Sequence, residues 1–283
     1  MVVALAGLIA AALNTNGGGG AAGASETAAR LTPTPTPSQP PPAVWVATAA
    51  RPARVWVGGD SLGGELVWGL TPLLKNAGVF RATSFYKESS GICRYDFFNW
   101  RIKMSSVMSK TRPHAVAIML GANDTQSIWT ADGWITYGTT EWKSVYGKRV
   151  GYLMDLMLKG GARRVYWVGM PIMRESWRTS RMRVINAIIK RQAGRRPGVR
   201  YIDVWPLFTD ADGRYVAGWR ARDGVHFSTT GWQRLGKRVY RSLKADWLSA
   251  VAPTPSPTTS ASASPSQSPV PPPSPSTSVT SEL

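Results

Sequence analysis

The stretch Arg54-Val55-Trp56-Val57-Gly58-Gly59-Asp60-Ser61-Leu62 decides how the rest of the chain is read. Arg54 to Gly58 is a short apolar run ending in glycines, the pattern of a buried strand. The glycines permit a tight turn. Beyond them Leu62, Leu66, Leu70 and Leu73 recur at helical spacing as far as Lys75, and Asn76-Ala77-Gly78 is a stop signal. Strand, glycine turn and helix together form the first half of a βαβ unit. Pro72 is expected to break this helix in two, because proline lacks an N–H and crowds the preceding turn.

The same alternation continues down the chain. Val79 to Phe85 reads as a second strand, and Asp96 to Lys110 as a helix with Phe97, Trp100, Met104 and Met108 on one face. Ala115 to Leu120 and Arg164 to Met170 are apolar strands, separated by a helix at Glu141 to Lys159. Thr179 to Gln192 is helical, and Arg200 to Val204 is a short strand. The last helix, Thr230 to Leu248, opens on a capping-box pattern at Thr230 and Gln233, followed by a stripe of Trp232, Leu235, Val239, Leu243 and Trp247. Apolar strands without polar alternation, each followed by a helix, predict an α/β protein with a parallel sheet covered on both faces. In such a sheet ligands bind beyond the carboxyl ends of the strands.

The flanks have another composition. Residues 1–44 and 253–283 are almost entirely Ala, Gly, Pro, Ser and Thr, and their only charged residues are Glu26, Arg30 and Glu282. All but one of the 34 Lys and Arg, and all but two of the 16 Asp and Glu, therefore fall within 45–252, a single basic domain with a formal charge of +19. Residues 1–24 read as an export signal, with an apolar run from Met1 to Leu13 and a small-x-small site at Ala22-Gly23-Ala24. The run is short for a stable membrane span. Residues 25–44 read as a Pro/Thr-rich linker and 253–283 as a Pro/Ser/Thr-rich tail, compositions that cannot bury enough apolar surface to fold. A secreted or cell-envelope location is expected. A lone cysteine, Cys93, excludes an intrachain disulfide and a cysteine-rich zinc site, and two histidines leave little material for a His-based metal site.

Three loops at predicted strand ends carry chemistry. Ser61 follows the first strand at a helix N-terminus, where free N–H groups favour developing negative charge; a serine there suits a nucleophile or simply an N-cap. Gly121-Ala122-Asn123-Asp124 follows the third strand, and an Asn amide there can donate to an oxyanion or form an Asx-turn. Asp223-Gly224-Val225-His226 precedes the last helix. His226 can act as a general base, with Asp223 holding its other ring nitrogen. Gly91, in Ser89-Ser90-Gly91-Ile92-Cys93, could add a backbone N–H donor. His114, at the wrong end of its strand, and Cys93 read as structural.

Gly59-Asp60-Ser61-Leu62, Gly91, Gly121-Ala122-Asn123-Asp124 and Asp223-Gly224-Val225-His226, in this order, resemble the four blocks of the SGNH hydrolase superfamily, also called the GDSL esterase/lipase family. Ser90-Gly91-Ile92 with Asp96 to Trp100, Val168 to Pro171 with Arg174, and Arg220 to Phe227 resemble a bacterial cell-envelope branch of it. The resemblance spans Arg54 to Ser249. It implies a flavodoxin-like, three-layer α/β/α sandwich with a parallel sheet of about five strands. It implies Ser61 as nucleophile, His226 as base, Asp223 as the acid orienting it, and an oxyanion hole of Ser61 N–H, Gly91 N–H and the Asn123 side chain. No metal and no organic cofactor is implied.

The expected reaction is hydrolysis of an O-acyl ester, with transfer to another alcohol as the alternative. Trp129 and Trp134, with Trp100, suit stacking on sugar rings, and Asp124 and Arg222 adjoin the blocks as further substrate contacts. An acylated envelope or extracellular carbohydrate, or a small ester, is the expected substrate. Arg-rich runs at Arg174 to Arg183 and Arg191 to Arg200 favour contact with an anionic wall polymer, and a non-catalytic binding module for such a polymer is a third reading. No motif supports nucleic-acid binding.

Overall fold

The five expected strands and the five expected helices are all present in the computed structural model. It describes residues 42–249. The expected export segment, the tail and nearly all of the linker lie outside the described residues. The chain order is β1 (Ala53–Gly59), α1 (Ser61–Asn76), β2 (Phe80–Tyr86), α2 (Trp100–Lys110), β3 (Ala115–Met119), β4 (Ile128–Thr130), β5 (Gly133–Ile135), α3 (Thr140–Lys159), β6 (Arg164–Val168), α4 (Ser176–Gly194), β7 (Val199–Ile202) and α5 (Thr229–Trp247). Two single-turn 3₁₀ helices, Trp205–Leu207 and Ala217–Trp219, interrupt the path from β7 to α5.

Five strands make one parallel sheet in the order β2-β1-β3-β6-β7. The order reverses at β1, so the crevice between β1 and β3 is the topological switch point. Helices α1 and α5 pack on one face and α2, α3 and α4 on the other, giving the expected three layers. Both faces are apolar because β1, β3 and β6 bury nearly every residue. Trp56, Trp100, Trp142, Trp167 and Trp247 are fully buried. No helix among the described residues is long and apolar enough to cross a membrane.

α1 and α5 touch backbone to backbone. A Cβ on Gly69 would lie 2.1 Å from the Trp232 carbonyl oxygen, and one on Gly236 2.2 Å from the Gly69 carbonyl oxygen. Only glycine permits that approach. Pro72 does not break α1, contrary to expectation. Leu62, Leu66, Leu70 and Leu74 are buried in a continuous stripe that holds the helix across it.

Helix starts also differ. α2 begins at Trp100 because Asn99 accepts from the N–H groups of Arg101 and Ile102. α4 begins at Ser176. α5 begins at Thr229 with Ser228 as its cap, accepting from Gly231 N, so the expected Thr230–Gln233 box is not the N-terminal device. A two-stranded hairpin, β4–β5, occupies what read as a loop; three-residue strands fall below the length that periodicity detects. His114 lies just before β3. Its Nδ1 accepts from Arg54 N at 3.1 Å, and its ring meets Trp45 edge-on. Burial and neighbouring arginines push its pKa down to about 4, so it is a neutral packing residue.

Candidate active site

The carboxyl ends of the strands are level. Gly59 is in register with Tyr86 and Met119, Met119 with Val168, and Val168 with Ile202. The loops that follow therefore leave the sheet from one edge. Gly59 has φ +146°, and a Cβ there would lie 1.7 Å from the Met119 carbonyl oxygen. The turn into α1 thus requires glycine.

Asp60 is fully buried and locks this turn. Its Oδ1 accepts from Leu62 N (3.0 Å) and Gly63 N (3.4 Å) as the cap of α1. Its Oδ2 accepts from Gly121 N and Ala122 N, both at 3.0 Å, which fastens the loop after β3 to the loop after β1. Burial raises the Asp60 pKa to about 6 against the lowering effect of these N–H groups. Ser61 is the first residue of α1 and is half-buried. Its own N–H has no acceptor among the described residues.

Asn123 is carried on the loop after β3. Its Nδ2 donates to Ser90 O at 3.0 Å, and an amide has a second N–H to offer. Asp124 is a correction to its expected place against substrate. It is fully buried, with Oδ1 accepting from Cys93 N at 2.8 Å and Oδ2 from the Tyr146 hydroxyl at 3.0 Å. It braces the Ser89–Cys93 loop from behind. Trp100 is a second correction. It is fully buried, and its Nε1 donates to Ser90 Oγ at 3.0 Å. Gly91 packs against Asp124, where a Cβ would come to 2.2 Å of Oδ1, and it does not line the cleft. Ser89 lines it instead, at φ +59°. Cys93 is buried, and burial pushes its thiol far above the ordinary range, so it is no nucleophile.

The Asp223–His226 segment forms a tight loop. Asp223 Oδ2 lies 2.6 Å from His226 Nδ1, and Oδ1 accepts from Val225 N (2.8 Å) and His226 N (3.0 Å). Burial acts to raise the Asp223 pKa, but these bonds outweigh it and hold the carboxyl at about 2. His226 thus has its Nδ1 fixed and its Nε2 left for chemistry. Arg174 ties the loop to the segment before α4, donating to the carbonyls of Arg222 (2.6 Å) and Asp223 (3.1 Å).

Two buried charged residues bracket His226. Glu65, one turn beyond Ser61 on α1 and only 4% exposed, accepts from Phe227 N at 2.9 Å through Oε1, while its Oε2 has no partner. Arg220, 5% exposed, donates to Val225 O, and its guanidinium sits 4.5 Å from the Phe227 ring centroid. Burial raises Glu65 to about 7 and lowers Arg220 to about 10. Neither is among the site residues expected from the sequence, although Arg220 opens the Arg220 to Phe227 block. Glu65 does interrupt the apolar surroundings of α1, and its i+4 spacing from Ser61 is the one signal that was there to find.

Ser61, Asn123 and His226 line one cleft of about 360 Å³, together with Glu65, Trp68, Tyr86, Ser89 and Arg178. No hydrogen bond joins Ser61 to His226 among the described residues; such bonds often tighten only with substrate bound. Trp129 and Trp134 do not line the cleft. They form a cross-strand pair on the β4–β5 hairpin, 5.2 Å between centroids, and are 49% and 63% exposed. Arg222 is exposed outside the cleft and contributes only its carbonyl to the Arg174 clamp.

This sheet order, with the serine, asparagine and Asp–His pair at its carboxyl edge, is that of the SGNH flavodoxin-like α/β fold. The chain belongs to the family described as "Protein of unknown function (DUF459)", whose family model matches residues 54–242. Among solved structures, a lipase/acylhydrolase from Enterococcus faecalis superposes with a TM-score of 0.52 at 16% identity, covering 68% of this chain and 96% of that one. LAE5, an alpha/beta hydrolase enzyme from the metagenome of Lake Arreo, Spain, also gives a TM-score of 0.52 at 16% identity, covering 70% of this chain and 97% of that one. At these identities the likeness is one of fold. No curated protein matches the sequence.

Proposed function

We propose that the protein is a serine esterase that hydrolyses O-acyl esters, with an acylated envelope or extracellular carbohydrate as its substrate. The observation that carries this reading is the single cleft that holds Ser61, Asn123 and a His226 whose Nδ1 is fixed 2.6 Å from Asp223. His226 Nε2 takes the Ser61 hydroxyl proton as Oγ attacks the ester carbonyl carbon. The carbonyl oxygen becomes an oxyanion, held by the unengaged Ser61 N–H and the second Asn123 N–H. As the intermediate collapses, the bond to the alcohol oxygen breaks and His226 returns the proton to that alcohol. Water then attacks acyl-Ser61 by the same route and releases the carboxylic acid. An export signal at residues 1–24 would deliver this activity to the extracytoplasmic glycan.

A fluorophosphonate probe followed by peptide mass spectrometry tests the nucleophile. The expected adduct is on Ser61 alone, with p-nitrophenyl acetate hydrolysis lost in Ser61→Ala and reduced about 10²–10³-fold in Asn123→Ala. Undiminished hydrolysis by Ser61→Ala would overturn the assignment.

A further inference from the structure

The catalytic cleft does not end at the nucleophile. Trp68, on α1 and 48% exposed, lines the cleft on one side and a second hollow of about 350 Å³ on the other. Trp232 and Lys237 of α5 complete that hollow. Lys237 also lines a third, larger hollow of about 720 Å³, shared with Trp219, Arg234 and Arg241. The second and third hollows share Leu73, Gln233 and Lys237 and make one groove along the seam where α1 and α5 meet at Gly69 and Gly236, and Trp68 is the residue this groove shares with the cleft of Ser61.

The chemistry of the groove changes along its length. At the catalytic end Glu65, Glu88 and Arg178 are mixed in sign. Along the α1–α5 seam the lining charges are Lys237, Arg234 and Arg241, with no carboxylate among the lining residues. Lys237 and Arg241 are exposed and make no ion pair among the described residues. Arg234 lies 4.9 Å from the Trp219 ring centroid, a cation held beside an indole. Indole faces suit the apolar faces of sugar rings, and cations without local counter-charge suit an anionic ligand. Neither device serves a small ester confined to the cleft.

We propose that the α1–α5 groove is an extended subsite for an anionic polysaccharide, a glycan whose carboxylate or phosphate groups engage Lys237, Arg234 and Arg241 while an acylated residue of the same chain reaches Ser61. The proposal rests on the esterase reading for its catalytic end and specifies the substrate class for that reading. The groove itself is independent of catalysis. An unfolded or flexible polymer is not required, because a preformed open groove admits a chain lengthwise.

The test uses the full chain, the Ser61→Ala variant and the charge-reversed double variant Lys237→Glu/Arg241→Glu, both positions being exposed. Binding is measured by isothermal titration with polygalacturonate, neutral dextran and single-stranded DNA, in low salt and in about 0.5 M salt. Expected is binding of polygalacturonate by Ser61→Ala, none of dextran, and at least about tenfold weaker binding after charge reversal and in high salt. On acetylated polygalacturonate the double variant should raise KM at least about tenfold, with hydrolysis of p-nitrophenyl acetate unchanged. Equal binding of dextran, unaltered binding after charge reversal, or tighter binding of DNA than of polygalacturonate overturns the groove. If the intact protein cleaves neither ester while Ser61→Ala still binds polygalacturonate through Lys237 and Arg241, the groove stands and the esterase reading falls.

Discussion

Replacing Glu65 with Gln keeps the side-chain shape and the acceptor for Phe227 N but removes the charge. In the folded protein burial raises this carboxyl from 4.5 to about 7. In the unfolded chain it ionises near its ordinary value. Over the intervening window the folded state holds a proton that the unfolded state has released, so stability is full below the unfolded pKa and falls as pH rises through the folded one. The change from 4.5 to about 7 corresponds to about 3 kcal/mol. Because Glu65 is only 4% exposed, little of this is screened by solvent. Most of it, about 2–3 kcal/mol, develops between pH 5 and pH 8.

Urea unfolding followed by tryptophan fluorescence measures it. Between pH 5 and pH 8 the wild-type protein should lose about 2–3 kcal/mol more than Glu65→Gln. With a urea slope of about 1–3 kcal/mol/M, the two midpoints should move relative to each other by roughly 1–3 M. Asp60, raised to about 6, contributes the same fall to both proteins and cancels. The size of the mutational effect at any single pH is immaterial, since the new amide has its own buried N–H groups to satisfy; the pH dependence carries the test. Stability curves that run parallel from pH 5 to pH 8 would show instead that Glu65 is already ionised in the folded state.

Other replacements separate bracing from chemistry. Glu65→Ala removes the acceptor for Phe227 N and should lower kcat on p-nitrophenyl acetate with little change in KM, whereas Glu65→Gln should retain most of kcat; equal losses in both would count against an anchoring role for Oε1. Asp124→Ala strands Cys93 N and the Tyr146 hydroxyl, and should cost about 2–4 kcal/mol in urea unfolding. An altered KM with unaltered stability would instead return Asp124 to the substrate. The Cys93 thiol should resist Ellman's reagent in the native protein and react fully in urea; rapid native labelling would contradict its burial. Gly69→Ala should destabilise by about 1–3 kcal/mol or more, read as a lowered urea midpoint, because its Cβ meets the Trp232 carbonyl at 2.1 Å.

Local pattern made the layers legible. Leu62, Leu66 and Leu70 announce α1, and the unbroken apolar run Ala115 to Met119 announces a central parallel strand. That Ser61, Asn123 and His226 are neighbours was also legible, since each lies at a strand or helix terminus on the carboxyl edge, and the structure brings them into one cleft. The failures concern packing that no local pattern encodes. Trp100 and Trp129 are both tryptophans beside glycine- or serine-rich loops. One is buried because Ser90 Oγ, ten residues away, waits under α2, and the other is exposed because its strand has only three residues and one partner. Asp124 and Asp223 are both aspartates within the motifs. They differ in that Tyr146 and Cys93 close over the first, while the second stays at the surface with His226. Pro72 misled because its local penalty was weighed without the α5 surface that α1 buries.

The buried polar residues follow one logic. Burying an unpaired polar group is costly, so such groups persist where they hold backbone in place. Asp60 joins the turns that carry Ser61 and Asn123, Ser90 accepts Asn123 Nδ2 through its carbonyl, and Asp124 braces the loop of Ser90. Asn186 makes both of its bonds to the Met170 backbone after β6, at 2.7 Å each. Glu65 and Arg220 grip the peptide groups on either side of His226. Only Arg164, which donates to Pro42 O, serves the opposite end of the sheet. The site is thus assembled on loops yet fixed by groups that lose their hydrogen bonds if those loops move, and the cost of moving them falls on six buried residues at once. The exposed cations of the α1–α5 groove, Lys237 and Arg241, make none of these bonds, so reversing their charge is expected to leave Ser61 and His226 in place.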